Sequence, residues 1–107
     1  MTGALSLPRF AELTAMNPAR LNGLFPRKGV IAPGADADLA VYDPTFSLEV
    51  TAPALHMPTD YTPFHGIRVQ GWPRTVLSRG RIVVDGGRFL GERGWGRVLA
   101  GARPVPL

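Results

Sequence analysis

Asn17-Pro18-Ala19-Arg20-Leu21-Asn22-Gly23-Leu24-Phe25-Pro26-Arg27-Lys28-Gly29, followed by Gly34-Ala35-Asp36-Ala37-Asp38-Leu39-Ala40-Val41-Tyr42-Asp43-Pro44, decides how this chain reads. Asn17 before Pro18 pairs a side-chain cap with a first-turn proline, whose missing N–H costs nothing at a helix start. Leu21 and Leu24 become the buried contacts of that short helix, and Gly23 is placed to end it in the left-handed conformation. Beyond Lys28-Gly29 the character turns from helical to β. Val30-Ile31 is a short apolar pair, and Pro33-Gly34 marks a turn. Leu39 to Tyr42 is an apolar run held between Asp38 and Asp43 and broken by Pro44. No residue of the passage has the chemistry of a catalytic group.

Upstream, Ser6 and Pro8 repeat the cap-and-proline arrangement. Leu7, Phe10, Leu13 and Met16 follow at three-residue spacing, which predicts a short helix with one apolar stripe and Glu12 facing away. Two helices of this size cannot bury their stripes against each other alone, so they need a larger body to lie on. Downstream, Phe46-Ser47-Leu48-Glu49-Val50 alternates as a strand with one buried face. Residues from Ala52 to Gly66 carry Pro53, Pro58, Pro63 and both histidines, and read as an irregular loop. Two hairpins are predicted next. Ile67-Arg68-Val69-Gln70 and Thr75-Val76-Leu77-Ser78 flank Gly71-Trp72-Pro73; Arg81 to Val84 and Arg88 to Leu90 flank Asp85-Gly86-Gly87, which tolerates positive φ. From Gly91 the chain is rich in Gly, Arg and Pro with one aromatic, Trp95, and reads as a tail laid over a surface, that of a partner subunit included.

The expected architecture is therefore α+β and mostly β. Terminal helices occupy 1–27, half of an antiparallel β-sandwich with about five or six short strands occupies 28–90, and a tail occupies 91–107. So thin a sheet leaves an apolar face that invites a partner sheet or a second chain segment, and it predicts marginal stability for the chain alone.

Composition narrows the classes. Thirteen glycines and eleven prolines in 107 residues promise short elements between many turns. The net charge of +4 comes almost wholly from arginines scattered along the chain, with Lys28 the only lysine, so it reads as a solvated basic surface rather than a nucleic-acid stripe. Without cysteine there is no disulfide, thiolate metal site or thiol nucleophile. No apolar run approaches the roughly 20 residues that span a bilayer, and no secretion-signal layout opens the chain. A cytoplasmic protein with no membrane partner is the expectation.

The opening passage resembles the C-terminal end of the amidohydrolase superfamily, where a closing helix with Asn17-Pro18-Ala19 passes through Gly29, Gly34 and Asp36-Ala37-Asp38-Leu39 into a strand ending at Asp43. Gly23 to Gly29, His56-Met57 through Asp60-Tyr61-Thr62-Pro63-Phe64-His65-Gly66, and Gly71-Trp72-Pro73 leading to Val76-Leu77-Ser78-Arg79-Gly80 are similar to the dihydropyrimidinase and D-hydantoinase branch. The resemblance runs from about Ser6 to Gly94. It departs at His65, where the branch often has an acidic residue, and around Gly34-Ala35-Asp36, a variable spot.

The resemblance implies a parent that hydrolyses the ring C–N amide bond of hydantoins or dihydropyrimidines. Water is activated between two divalent metal ions of the zinc type, held by a His-x-His pair, a carboxylated lysine, two further histidines and an aspartate. It implies as partners the barrel portion that is missing here, or further subunits of a homo-oligomer. It also covers the collapsin response mediator proteins, which share the scaffold without the metal site, so a non-catalytic assembly module is the alternative reading.

The residues themselves do not supply that chemistry. His56 and His65 stand nine apart and form no His-x-His pair. Lys28 sits in a connection, where it reads as a solvated or salt-bridged surface charge. Asp36, Asp38 and Asp43 read as turn formers rather than cation ligands. Ser47 and Ser78 lie in strands without a base beside them. Gly86-Gly87 is a hairpin turn, not a phosphate loop. Trp72, Trp95, Tyr61 and Phe64 read as buried or interface aromatics rather than base-stacking platforms, and no nucleic-acid partner is expected. No catalytic, substrate-binding or metal-ligating residue is assigned to this chain, and no cofactor is expected to bind to it.

Overall fold

The computed structural model describes residues 3–107. Ser6 caps the first helix, its Oγ accepting the Arg9 N–H at 3.4 Å. Helix α1 spans Leu7–Ala11, a π-helical turn spans Glu12–Met16, and helix α2 spans Asn17–Leu21. Asn17 is therefore not the cap of a separate helix; its φ of −64° and ψ of −45° are helical. The physical reason is Pro18, which lacks an N–H and whose ring would crowd the carbonyl four residues back. Widening the preceding turn, so that the Asn17 N–H donates to the Glu12 carbonyl, carries the rod past the proline without a break.

The helix stops where the sequence places the stop. Gly23 takes φ +67°. Its N–H donates to the Arg20 carbonyl at 3.2 Å, while the Leu24 N–H donates to the Ala19 carbonyl at 2.8 Å. This reciprocal pair satisfies two carbonyls that a helix end leaves open. Gly29, at φ +84°, lies so close to the rod that a Cβ would stand 2.6 Å from the Ala19 Cβ. Ala19 is buried, but the expected buried contact Leu21 is exposed, as are Leu7, Phe10 and Leu13. The apolar stripe lies open.

Strands β1 (Leu39–Glu49), β2 (Arg68–Ser78), β3 (Arg81–Asp85) and β4 (Arg88–Phe89) form one antiparallel sheet in sequence order. Two expectations need correction. Pro44 does not end a strand, because β1 passes through it in an irregularity between Asp43 and Ser47, where proline's missing donor is tolerated. Asp43 Oδ1 closes that kink by accepting the Thr45 N–H at 2.9 Å and the Thr45 hydroxyl at 2.7 Å. Nor is Gly71-Trp72-Pro73 a turn. Gly71 takes φ +88° within β2, and the strand runs on to pair Trp72 with Asp43 and Pro73 with Tyr42. Among the described residues four strands thus replace the five or six expected, two of them eleven residues long. The hairpin at Gly86-Gly87 is as predicted, with φ of +55° and +81°. The other hairpin turns at Arg79-Gly80.

The loop between β1 and β2 is tied at its base by Val50 N–H to the Ile67 carbonyl at 2.9 Å and Gly66 N–H to the Val50 carbonyl at 3.0 Å. Val50, Ala52 and Thr62 are buried within it. With Ala19 and Gly23 these complete the buried residues among those described, and no large side chain there is fully enclosed. The accessible surface is 8255 Å², against about 5,800 Å² for a compact 11.5 kDa monomer. The radius of gyration is 15.5 Å, against about 13 Å for a compact chain of this length. Roughly 2,400 Å² more surface is wet than a self-sufficient domain would leave.

A Cβ at Gly23 would lie 1.9 Å from the Ala102 carbonyl oxygen, whereas one at Gly34 (φ +88°) would meet nothing within 4 Å. Gly23→Ala is expected to destabilise the chain by at least about 2 kcal/mol, and Gly34→Ala by about 1 kcal/mol from backbone strain alone. Urea midpoints of the two variants check the difference.

Candidate functional site

The sheet carries an open groove of about 590 Å³. Phe46, Leu48, Leu55, Trp72, Val76 and Val84 supply its apolar lining, with Asp43, His56 and Arg74 among its polar members. The groove exists because alternate side chains of β1, β2 and β3 project to one side of the sheet. Its lining is mostly apolar.

The densest charge cluster lies at the start of β1. Asp36 accepts from Arg27 Nε at 3.0 Å and from Lys28 Nζ at 2.8 Å, and Lys28 also pairs with Asp38. Asp38 turns its other oxygen to the Arg79 N–H at 2.7 Å. The Lys28 and Arg27 hydrogen bonds hold the Asp36 carboxyl below its usual range. Partial desolvation pushes the Asp38 carboxyl up, but Lys28 and the Arg79 N–H outweigh it and the net direction is down. The hydrogen bonds it donates to Asp36, then to Asp38, raise the Lys28 ammonium. The Thr45 hydroxyl and N–H lower Asp43. Lys28 is thus the salt-bridged charge its sequence position suggests, and the three aspartates spend their lone pairs on the chain itself.

The remaining candidates do not converge. His56 is an exposed loop residue at φ +54° beside the groove, and His65 is exposed on the same loop. Among the described residues no three His, Asp or Glu side chains gather as a metal-binding group. Asp36 and Asp38 are paired to cations, and Asp43 is hydrogen-bonded to Thr45. Ser47 pairs across the sheet with Gln70, and Ser78 with Arg81. Tyr61 and Phe64 are exposed on the loop. Trp72 lines the groove, whereas Trp95 has two guanidinium groups over its ring, Arg79 at 4.3 Å and Arg81 at 4.6 Å from the ring centre. That clasp was not foreseen from sequence. Its available signal was the spacing of Arg79 and Arg81 around a two-residue turn with one aromatic in the following tail.

No helix among the described residues is long and apolar enough to cross a membrane.

Comparison with known proteins gives a consistent set. The model of the Amidohydrolase family matches residues 1–83. The chain is 43% identical to the D-hydantoinase of Ralstonia pickettii over 97 residues, covering 91% of this chain and 21% of that protein. It is 45% identical to the D-phenylhydantoinase of Escherichia coli O1:K1 over 106 residues, covering 99% and 23% respectively. Among solved structures, the dihydropyrimidinase of Brevibacillus agri superposes with a TM-score of 0.88 at 43% identity, over 95% of this chain and 23% of that one. The chain spans about a fifth of the length of these relatives.

The ion cluster fixes a pH window. Asp36 and Asp38 lie below their ordinary 3.8 when folded, so their contribution is complete above about pH 4 and is lost as pH falls through their folded values. Lys28 lies above its ordinary 10.5, so its contribution is complete below that pH and is lost as pH rises through its folded value. Urea midpoints measured against pH are expected to show a plateau with a fall at each end. In Lys28→Met the plateau is lower and the difference from wild type closes at both extremes.

Proposed function

The chain belongs to the amidohydrolase family, on its hydantoinase and dihydropyrimidinase branch, and from that premise we propose that it is the C-terminal part of a metal-dependent cyclic amidohydrolase, supplying scaffold and subunit contacts rather than the active site. The observation that carries this reading is the coverage: nearly all of this chain aligns, to about a fifth of each relative. In this reading the run 7–21 is the last helical element to pack on a catalytic barrel, and its open apolar stripe is the packing face. The sheet is half of a sandwich, and the groove lined by Phe46, Trp72 and Val76 is where the other half lies.

The parent reaction is hydrolysis of the ring C–N amide bond of a hydantoin or dihydropyrimidine. Its two divalent ions, of the zinc type, would supply an activated water and polarise the amide carbonyl. This chain's residues are committed otherwise: Lys28 to Asp36 and Asp38, and Asp43 to Thr45. They steady the chain on which a barrel rests and touch no reacting atom. The chain purified alone, given zinc or manganese with dihydrouracil or hydantoin, is expected to open no ring above the metal-only background. Ring opening that scales with chain concentration would place chemistry in these residues and overturn the scaffold role.

A second reading, an assembly module without catalysis, draws support from the extra wet surface, which is larger than the roughly 800 Å² per partner of an ordinary stable interface. It is expected to show as self-association in light scattering after size exclusion. A well-folded monomer at all concentrations counts against it.

A further inference from the structure

Among the described residues the helical run and the sheet share no backbone-to-backbone packing. A side-chain link between them is the edge-to-face pair of Phe10 and Tyr42, 6.0 Å between ring centres. Besides the connection from α2 to β1, a second chain segment spans both bodies. At its near end Trp95 packs its ring against the guanidinium groups of Arg79 and Arg81, donates its indole N–H to the Ser78 carbonyl at 3.0 Å, and offers its own carbonyl to the Arg79 guanidinium. Glu92 adds a contact to Arg81 at 3.1 Å. At its far end the Ala102 N–H donates to the Gly23 carbonyl at 2.8 Å and the Val105 N–H to the Arg20 carbonyl at 3.0 Å. Between the ends Val98 is fully exposed.

We propose that residues 91–107 form a strap acting in cis, buckled to the β2–β3 hairpin by Trp95 and tied to the C-terminus of α2 at Ala102 and Val105. Two ring-facing cations and an indole hydrogen bond make the near end the strong attachment. The far end is two backbone hydrogen bonds on a segment with little burial, too weak to order a free tail against its conformational entropy. Order at Ala102 and Val105 therefore depends on Trp95, seven and ten positions earlier. The strap holds the helical run and the sheet at a fixed separation, which a shared core does in an ordinary domain. This assignment stands on the chain's own contacts and does not need the family reading.

Amide hydrogen exchange on the full chain tests it, with Trp95→Ala against wild type. Exchange at Ala102 and Val105 is expected to quicken at least tenfold, while Val50 and Gly66, at the base of the β1–β2 loop, keep their rates. Trp95→Phe, which keeps an aromatic ring for the arginines and loses the indole donor, is expected to retain most of the protection. Unchanged rates at Ala102 and Val105 in Trp95→Ala would overturn the strap. So would equal quickening at all four amides, a wild type with no protection at Ala102 and Val105, or protection there that rises with protein concentration, the mark of a tail docking on another copy.

Discussion

Asp38 holds three separate parts of this chain at once. One carboxylate oxygen takes the Lys28 ammonium from the connection after the helices, and the other takes the Arg79 N–H from the β2–β3 turn, while β1 begins one residue later. The adjacent Ala37 carbonyl accepts the Gly80 N–H at 2.9 Å, which doubles the tie to the same turn. A carboxylate with two such donors has both its oxygens satisfied, although it stays exposed to solvent. Arg79 then carries the constraint onward, since its side chain forms one side of the clasp around Trp95. Helix end, strand start, hairpin and tail are all positioned from this point.

What the junction does not provide is a core. The buried apolar residues are Ala19, Val50 and Ala52, all small or of medium size, and Phe46, Tyr42, Phe10 and Leu13 are substantially wet. Backbone pairing and local ties can define a shape, but apolar burial is the main favourable term in folding. The shape described here is thus one that other surfaces are needed to stabilise. The groove on the sheet and the stripe on the helical run are the two places where such surfaces would lie.

The sequence spoke most clearly where a residue's own chemistry dictates the backbone. Ser6 capping, the Gly23 stop, the Gly86-Gly87 turn and the tie of Lys28 into a salt bridge are all local or nearly so. It misled where proline looked decisive. Pro18, Pro44 and Pro73 each read as an interruption, and each was absorbed: by a π turn, by an irregularity in β1, and by a glycine two positions earlier. Such accommodations depend on what lies across the sheet or one turn back, which a pattern along the chain does not contain. The tie from Asp38 to the Arg79 N–H joins residues about forty positions apart and left no local signal.

The π turn at Glu12–Met16 has a geometric consequence of its own. Such a turn houses one residue more than the α path it replaces, and each residue advances an α-helix by about 100°. Everything before Glu12 is therefore rotated by about that angle relative to an unbroken helix continuing from Pro18. Phe10, which faces Tyr42, and Ala19, which faces Gly29, are nine residues apart and would stand about 180° from each other on an unbroken helix. The extra residue brings them to within about 80°, so that the two contacts lie on adjoining sides of a single helical run.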